Sequence, residues 1–165
     1  MNNSELISCI AKAYELIGRN TPAAFDCGRL CNKKCCKGDS KDGMLLFPGE
    51  EVLFENNENF TVYFDERYEN YAVRCNGICN RNERPLACRI FPYLIYGEKS
   101  TGKVSVAPDI RAIDFCPLIK EKQPPDRKFL RSLRICAKKF ESNAEIFEYL
   151  CRISEILTDF NCLDL

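Results

Sequence analysis

Eight cysteines gathered in short blocks, in a chain without histidine, set the terms on which this sequence can fold. Cys27, Cys31, Cys35 and Cys36 fall within ten residues. Cys75, Cys79 and Cys88 form a looser second set, and Cys116 stands alone further on. All eight lie in irregular, turn-prone sequence. Four others, Cys9, Cys136, Cys151 and Cys162, complete the 12 cysteines in 165 residues. They fall on helical patterns among apolar neighbours and are expected to pack as small hydrophobes. The absence of His removes the usual general base and the commonest imidazole ligand. Neither a Ser-His-Asp nor a Cys-His device can be assembled from this chain alone.

Thiolates three or four residues apart converge on one ion without ordering a long loop. Eight is twice four, the number a four-thiolate zinc site or one cubane iron–sulfur cluster requires. As one continuous helix, residues 27–36 would set Cys27 and Cys35 about 12 Å apart along the axis. With Zn–S near ~2.3 Å, one zinc ion could not gather both. Either the segment turns, with Gly28 helping, or its sulfurs serve more than one centre. Neighbouring side chains of an extended backbone point to opposite sides, so the adjacent Cys35 and Cys36 are expected to divide between two nearby centres. A mixed Cys/carboxylate arrangement stays open.

Charge tracks the cysteines. Arg29, Lys33, Lys34 and Lys37 are the charged residues from Cys27 to Lys37, and Arg74, Arg81, Arg84 and Arg89 flank the second set against Glu83 alone. Such cations offset the charge of about −2 on a four-thiolate zinc or cubane site and lower thiol pKa values. A basic surface for an anionic partner is the alternative. Adjacent Cys35 and Cys36 cannot readily bridge each other, because unstrained disulfides need Cα atoms ~4.4–6.8 Å apart.

Residues 1–19 show no basic leader, long apolar run or small-residue cleavage site, and no stretch approaches the ~20 apolar residues of a membrane span. The expectation is a cytoplasmic protein without a membrane partner. In a reducing cytosol, clustered cysteines more often bind metal or do redox chemistry than form disulfides. Lys+Arg and Asp+Glu balance at 24 each, so net charge gives no pointer to nucleic acid.

Hydrophobic residues make up 45% of the chain, enough for a core. Leu6, Ile7, Ile10, Tyr14 and Ile17 recur at helical steps over residues 4–17, with Gly18 to end the helix. Pro48-Gly49 marks a turn, and Glu50–Phe54 reads as a helix start or a strand. Phe60, Val62 and Phe64 alternate as in a half-buried strand. Tyr93–Tyr96 and Lys103–Ala107 read as a β-hairpin around a loop from Gly97 to Gly102. Asp126 caps a helix with Phe129, Leu133, Cys136 and Phe140 on one face. Ser142 or Asn143 caps a last one with Ile146, Leu150, Ile153, Leu157 and Phe160 inward. The predicted architecture is a small single α+β domain over residues 1–165. It has an irregular cysteine-rich metal-binding centre, β-hairpins and a C-terminal helical pack over 126–162. Arg84 and Arg89 are expected to hold the cysteine loops through carbonyls. Tyr63, Tyr68, Tyr71, Tyr93 and Tyr96 are expected in core or hairpin packing, and Asp109, Arg111 and Asp114 on a solvated loop, with a role supporting the ligands or meeting a substrate as the alternative.

The cysteine blocks also carry a resemblance. CGRLCNKKCC resembles the CxxCxxCC hallmark of the YkgJ-like cysteine-cluster proteins, a family of zinc- or iron-chelating domains. RCNGICNRNERPLACRIFPYL resembles that family's second block, with Cys79, Arg84-Pro85, Cys88-Arg89 and Phe91-Pro92 at its core. Cys116 in DFCPL fits the closing position. The likeness covers about residues 24–118 and departs in one respect: the first run has three-residue gaps where the family has two. It implies a protein chelating zinc or iron, including as an iron–sulfur cluster, through Cys27, Cys31, Cys35, Cys36, Cys75, Cys79, Cys88 and Cys116. The family's link to flagellin lysine N-methylases adds an iron–sulfur redox or protein N-methyl-transfer enzyme as an alternative. No Gly-rich nucleotide-binding turn accompanies it, and the C-x3-C spacing fails a radical-SAM reading. A metal-shaped basic module docking a protein or RNA partner is the third reading.

Overall fold

The structure, a computed structural model, describes residues 3–36, 43–75, 77 and 79–163, with residues 3 and 160–163 as backbone alone. In chain order its elements are helices α1 (Asn3–Ile17) and α2 (Gly28–Cys31), then strands β1 (Met44–Leu45), β2 (Phe60–Asp65) and β3 (Asn70–Cys75). Helix α3 (Leu86–Ile90) and strands β4 (Tyr93–Glu98) and β5 (Lys103–Pro108) follow. Helices α4 (Pro117–Lys120), α5 (Arg127–Glu141) and α6 (Ala144–Leu163) close the chain.

The long helices form where apolar residues recur at three- and four-residue steps. α1 turns Leu6, Ile10, Ala13 and Ile17 inward. It ends at Gly18, whose φ of +48° is left-handed backbone that costs glycine no Cβ clash. Asp126 caps α5 by accepting the N–H groups of Lys128 and Phe129. Phe129, Leu133, Cys136 and Phe140 are all fully buried on one face of that helix. Asn143 caps α6 by accepting the Ile146 N–H. Ile146, Leu150, Ile153 and Leu157 then face inward as expected, while the side chains of Phe160 and Cys162 lie outside the described residues.

Helices and two small antiparallel sheets give the α+β class. One sheet has the order β1-β3-β2, with Leu45 opposite Ala72 and Phe60 opposite Cys75. The other is the β4–β5 hairpin, with Tyr93 opposite Pro108. α6 packs along β4, and α5 along β5 and α1. The main core lies between them, with the Phe47 ring 4.9 Å from Phe140 and 5.5 Å from Tyr149. Two satellite clusters sit apart from it. One is Leu46, Phe54, Phe60 and Val73 with Cys79 against them. The other is Ala112, Cys116 and Leu118 with Cys27, Phe91 and Phe115.

Several local expectations change. The β4–β5 strands run through Gly97 and Glu98, so the hairpin loop is shorter than Gly97 to Gly102. Residues 51–53 form a 3-10 turn, neither strand nor α-helix. Phe64 points outward, 48% exposed, and meets Tyr71 edge to face at 5.4 Å. Among the described residues, no helix is long and apolar enough to cross a membrane.

Candidate metal centre

The first cysteine block reverses direction instead of running as one helix. α2 stops at Asn32, and Asn32 and Lys33 both take left-handed backbone, at φ 51° and 55°. Asn tolerates that region better than most residues. A 3-10 turn at Lys34–Cys36 follows, closed by the Cys36 N–H on the Lys33 carbonyl at 2.8 Å. The reversal therefore falls after Cys31, not at Gly28, which is buried at the start of α2. Cys27 precedes α2, Cys31 ends it, and Cys35 and Cys36 ride on the turn. Lys37 lies outside the described residues.

A buried polar knot positions the second block. Glu50 is wholly buried and accepts the Tyr14 hydroxyl, the Phe47 N–H at 2.8 Å and the Leu86 N–H at 2.6 Å. Leu86 opens α3, so Glu50 fixes the start of the helix that carries Cys88. Burial pushes the Glu50 carboxyl above its ordinary value, while its three donors and Arg89 draw it back. Arg89 lies 4.3 Å over the Tyr14 ring and donates to the carbonyls of Arg84 and Asn82, the loop-holding role expected of it. Arg84 differs. Its guanidinium meets the Cys79 thiol, and its buried Nε has no hydrogen-bond partner among the described residues. Arg81 ties the same turn to the end of α1 by donating to the Asn20 carbonyl at 2.8 Å. Cys75 ends β3, where the sheet delivers it beside Phe60.

The loop before Cys116 is exposed at Arg111 and Asp114, as expected, but not at its start. Asp109 is only 1% exposed. It accepts both the backbone N–H and the guanidinium of Arg111, and its own N–H donates to the Pro92 carbonyl at 2.9 Å. That pinned loop presents Cys116 at the start of α4, with Pro117 in the first helical position.

All eight candidate thiols thus reach one end of the molecule, where two cavities adjoin. Cys27, Cys31 and Cys116 line the smaller, of about 30 Å³. Cys75 and Cys79 line the larger, of about 170 Å³. Cys35, Cys36, Cys88 and Arg84 border both. The Cys35 and Cys36 sulfurs are 4.0 Å apart. Among the described residues, no three Cys, Asp or Glu side chains are drawn close enough to hold an ion as they stand. All 11 cysteines with described side chains are free thiols.

The thiols oppose one another's ionisation. Burial raises Cys27; Arg81 lowers it, while Asp26, Cys116 and Cys31 raise it further. Burial also raises Cys116, against the backbone N–H groups of Ile119 and Leu118. Cys88 is pushed up by burial and then by Cys36, Cys75 and Cys79. Cys79 is raised by burial and drawn down by Arg84. Cys36 goes the other way: its contact with Cys35 favours the thiolate, with Arg84 and Lys33 assisting, and Cys35 keeps the proton. Like charges that repel when ionised are the donor set a thiophilic cation gathers, and the residues present fit zinc or iron in that chemical sense.

Sequence reasoning missed Glu50 and Tyr14, which hold α3 in place. An acid straight after Pro48-Gly49, inside an apolar run, was the available signal. No protein-family model, curated protein or solved structure matches the chain.

Proposed function

We propose that this protein chelates zinc or iron through the thiolates of Cys27, Cys31, Cys35, Cys36, Cys75, Cys79, Cys88 and Cys116. The observation that carries the reading is the meeting of eight thiols, from separate stretches of chain, around two adjoining cavities. Hydrophobic packing accounts for Cys136 and Cys151, which are buried on α5 and α6. It does not account for Cys35, which is exposed, or for the arginines and lysines crowding the block. The resemblance to YkgJ-like cysteine-cluster proteins supports the same chemistry, and a reducing cytoplasm is the compartment that keeps such thiols free. Zinc held by four thiolates would be closed and structural, whereas an iron–sulfur cluster would supply one-electron chemistry.

The test is purification without oxygen, followed by elemental analysis for zinc and iron and an absorption spectrum. Stoichiometric metal is expected, lost when Cys27, Cys79, Cys88 and Cys116 are all replaced by Ser. A wild-type protein still metal-free after incubation with zinc, and with iron plus sulfide, overturns the proposal.

A further inference from the structure

We propose that the eight thiols form two separate four-thiol centres, one of Cys27, Cys31, Cys35 and Cys116, the other of Cys36, Cys75, Cys79 and Cys88, joined through the Cys35–Cys36 peptide. The inference rests on the metal-binding reading above and adds the partition.

The cavities supply the first argument. Cys27, Cys31 and Cys116 border only the smaller, and Cys75 and Cys79 only the larger. Packing supplies the second. Cys27 and Cys116 sit with Ala112, Leu118, Phe91 and Phe115, whereas Cys79 sits with Leu46, Phe54, Phe60 and Val73. The two apolar clusters share no residue, although Phe91 borders both cavities. Proximity then places the three thiols that border both cavities. The Lys33 N–H on the Gly28 carbonyl at 2.9 Å folds the turn back over α2, which places Cys35 with Cys27 and Cys31. The Cys36 carbonyl lies 3.5 Å from where a Cβ on Gly77 would stand, between Cys75 and Cys79, and Cys88 completes that second set. The sets close at four each, the number that completes a thiolate zinc site or anchors one cubane cluster.

The turn at Lys34–Cys36 makes the division feasible. Consecutive side chains of a 3-10 turn diverge by about a third of a revolution, so the two sulfurs, 4.0 Å apart as they stand, part to different centres when each takes its own ion. Arg84, which borders both cavities, then offsets thiolate charge on either side. The reversal at Asn32 and Lys33 is what sends Cys35 back towards Cys27 and Cys31 in spite of the eight-residue separation.

The decisive comparison is between Cys35→Ser and Cys36→Ser, neighbours predicted to break different centres. Each protein is loaded anaerobically with zinc, weighed by native mass spectrometry, then alkylated with iodoacetamide and peptide-mapped. Wild type is expected to hold two zinc ions and to protect all eight thiols. C35S should hold one, with Cys27, Cys31 and Cys116 alkylating at least tenfold faster and Cys36, Cys75, Cys79 and Cys88 still protected. C36S should show the reverse. Cys116→Ser and Cys79→Ser repeat the comparison from positions away from the turn, in case either turn variant misfolds. If the two adjacent substitutions expose the same thiols, or if a single ion protects all eight in wild type, the partition is wrong although metal binding stands. If neither zinc nor iron plus sulfide protects any thiol, both readings fail.

Discussion

Glu50 is the residue on which the position of Cys88 depends most directly. Its two oxygens accept three donors: Tyr14 from α1, Phe47 from the chain after β1, and Leu86 at the start of α3. Glu50→Gln puts an amide donor where one of those oxygens was, so N–H groups face N–H groups in a site closed to bulk solvent. A buried donor left unsatisfied costs about 1–3 kcal/mol. The urea midpoint should fall accordingly, and Cys88 should alkylate faster as the start of α3 loosens. Glu51→Gln, which removes no side-chain hydrogen bond or ion pair among the described residues, should move the midpoint by less than about 0.5 kcal/mol. Equal effects from the two would show that burial of Glu50 does not anchor α3. The sequence offers two acids in a row after Pro48-Gly49 and no local rule for choosing between them. Gly49, at φ +80°, sets the turn that swings Glu50 inward, and only the packed fold reveals that direction. Arg84 and Arg89 pose the same difficulty: one cation type, two fates, decided by which carbonyls lie nearby.

Among the elements, the long helices were legible because a 3.6-residue period needs only the chain itself. The Asp126 cap of α5 is such a local feature. Asp126→Ala should cost about 1 kcal/mol in thermal or chemical unfolding and Asp126→Asn clearly less, since Asn also caps. A larger loss from Asn than from Ala would refute capping as the reason. Gly97 shows the opposite case. It reads as the start of a hairpin loop, yet it is a strand residue paired with Val104. A Cβ there would stand 2.7 Å from the Cys151 backbone nitrogen. Its N–H also donates to Ser154 Oγ at 3.0 Å. Gly97→Ala should therefore pry β4 from α6 and destabilise by about 1–3 kcal/mol, the usual cost of overpacking. An unchanged midpoint would mean that this contact is slack. β1 and β3 escaped the sequence for related reasons. β1 is two residues long, and β3 buries Ala72 and Val73 in succession, which breaks the alternation a half-buried strand would show. The candidate ligands were legible as residues because their spacing is local. The grouping around two cavities was not, because it depends on the reversal at Asn32 and Lys33 and on β3 carrying Cys75 to the same end.

At the scale of the whole molecule, the proposed metal and the core would divide the task of holding the fold. Structural zinc has an apparent binding free energy of ~10–16 kcal/mol in small sites, against a net domain stability of about 5–15 kcal/mol. Taken alone, those figures say that stripping metal unfolds everything. The distribution of buried surface says otherwise. α1, α5, α6 and the β4–β5 hairpin share one core that contains no candidate ligand, and Leu86 and Ile90 root α3 in it. Among the described residues, the cysteine end adds the two small satellite clusters. Chelation of the loaded protein should therefore leave far-UV helical signal nearly intact while residues 27–36, the β3 end at Cys75 and the Cys116 loop open. Hydrogen exchange resolves this directly. Amides of α5 and α6 should keep their protection, and those around Cys27–Cys36 and Cys116 should lose it by orders of magnitude. α3 should fall between, held on one face by Leu86 and Ile90 and released on the other at Cys88. Uniform loss of protection across all helices would make the metal the organiser of the main core, and no change anywhere would leave the thiols without a structural load to carry.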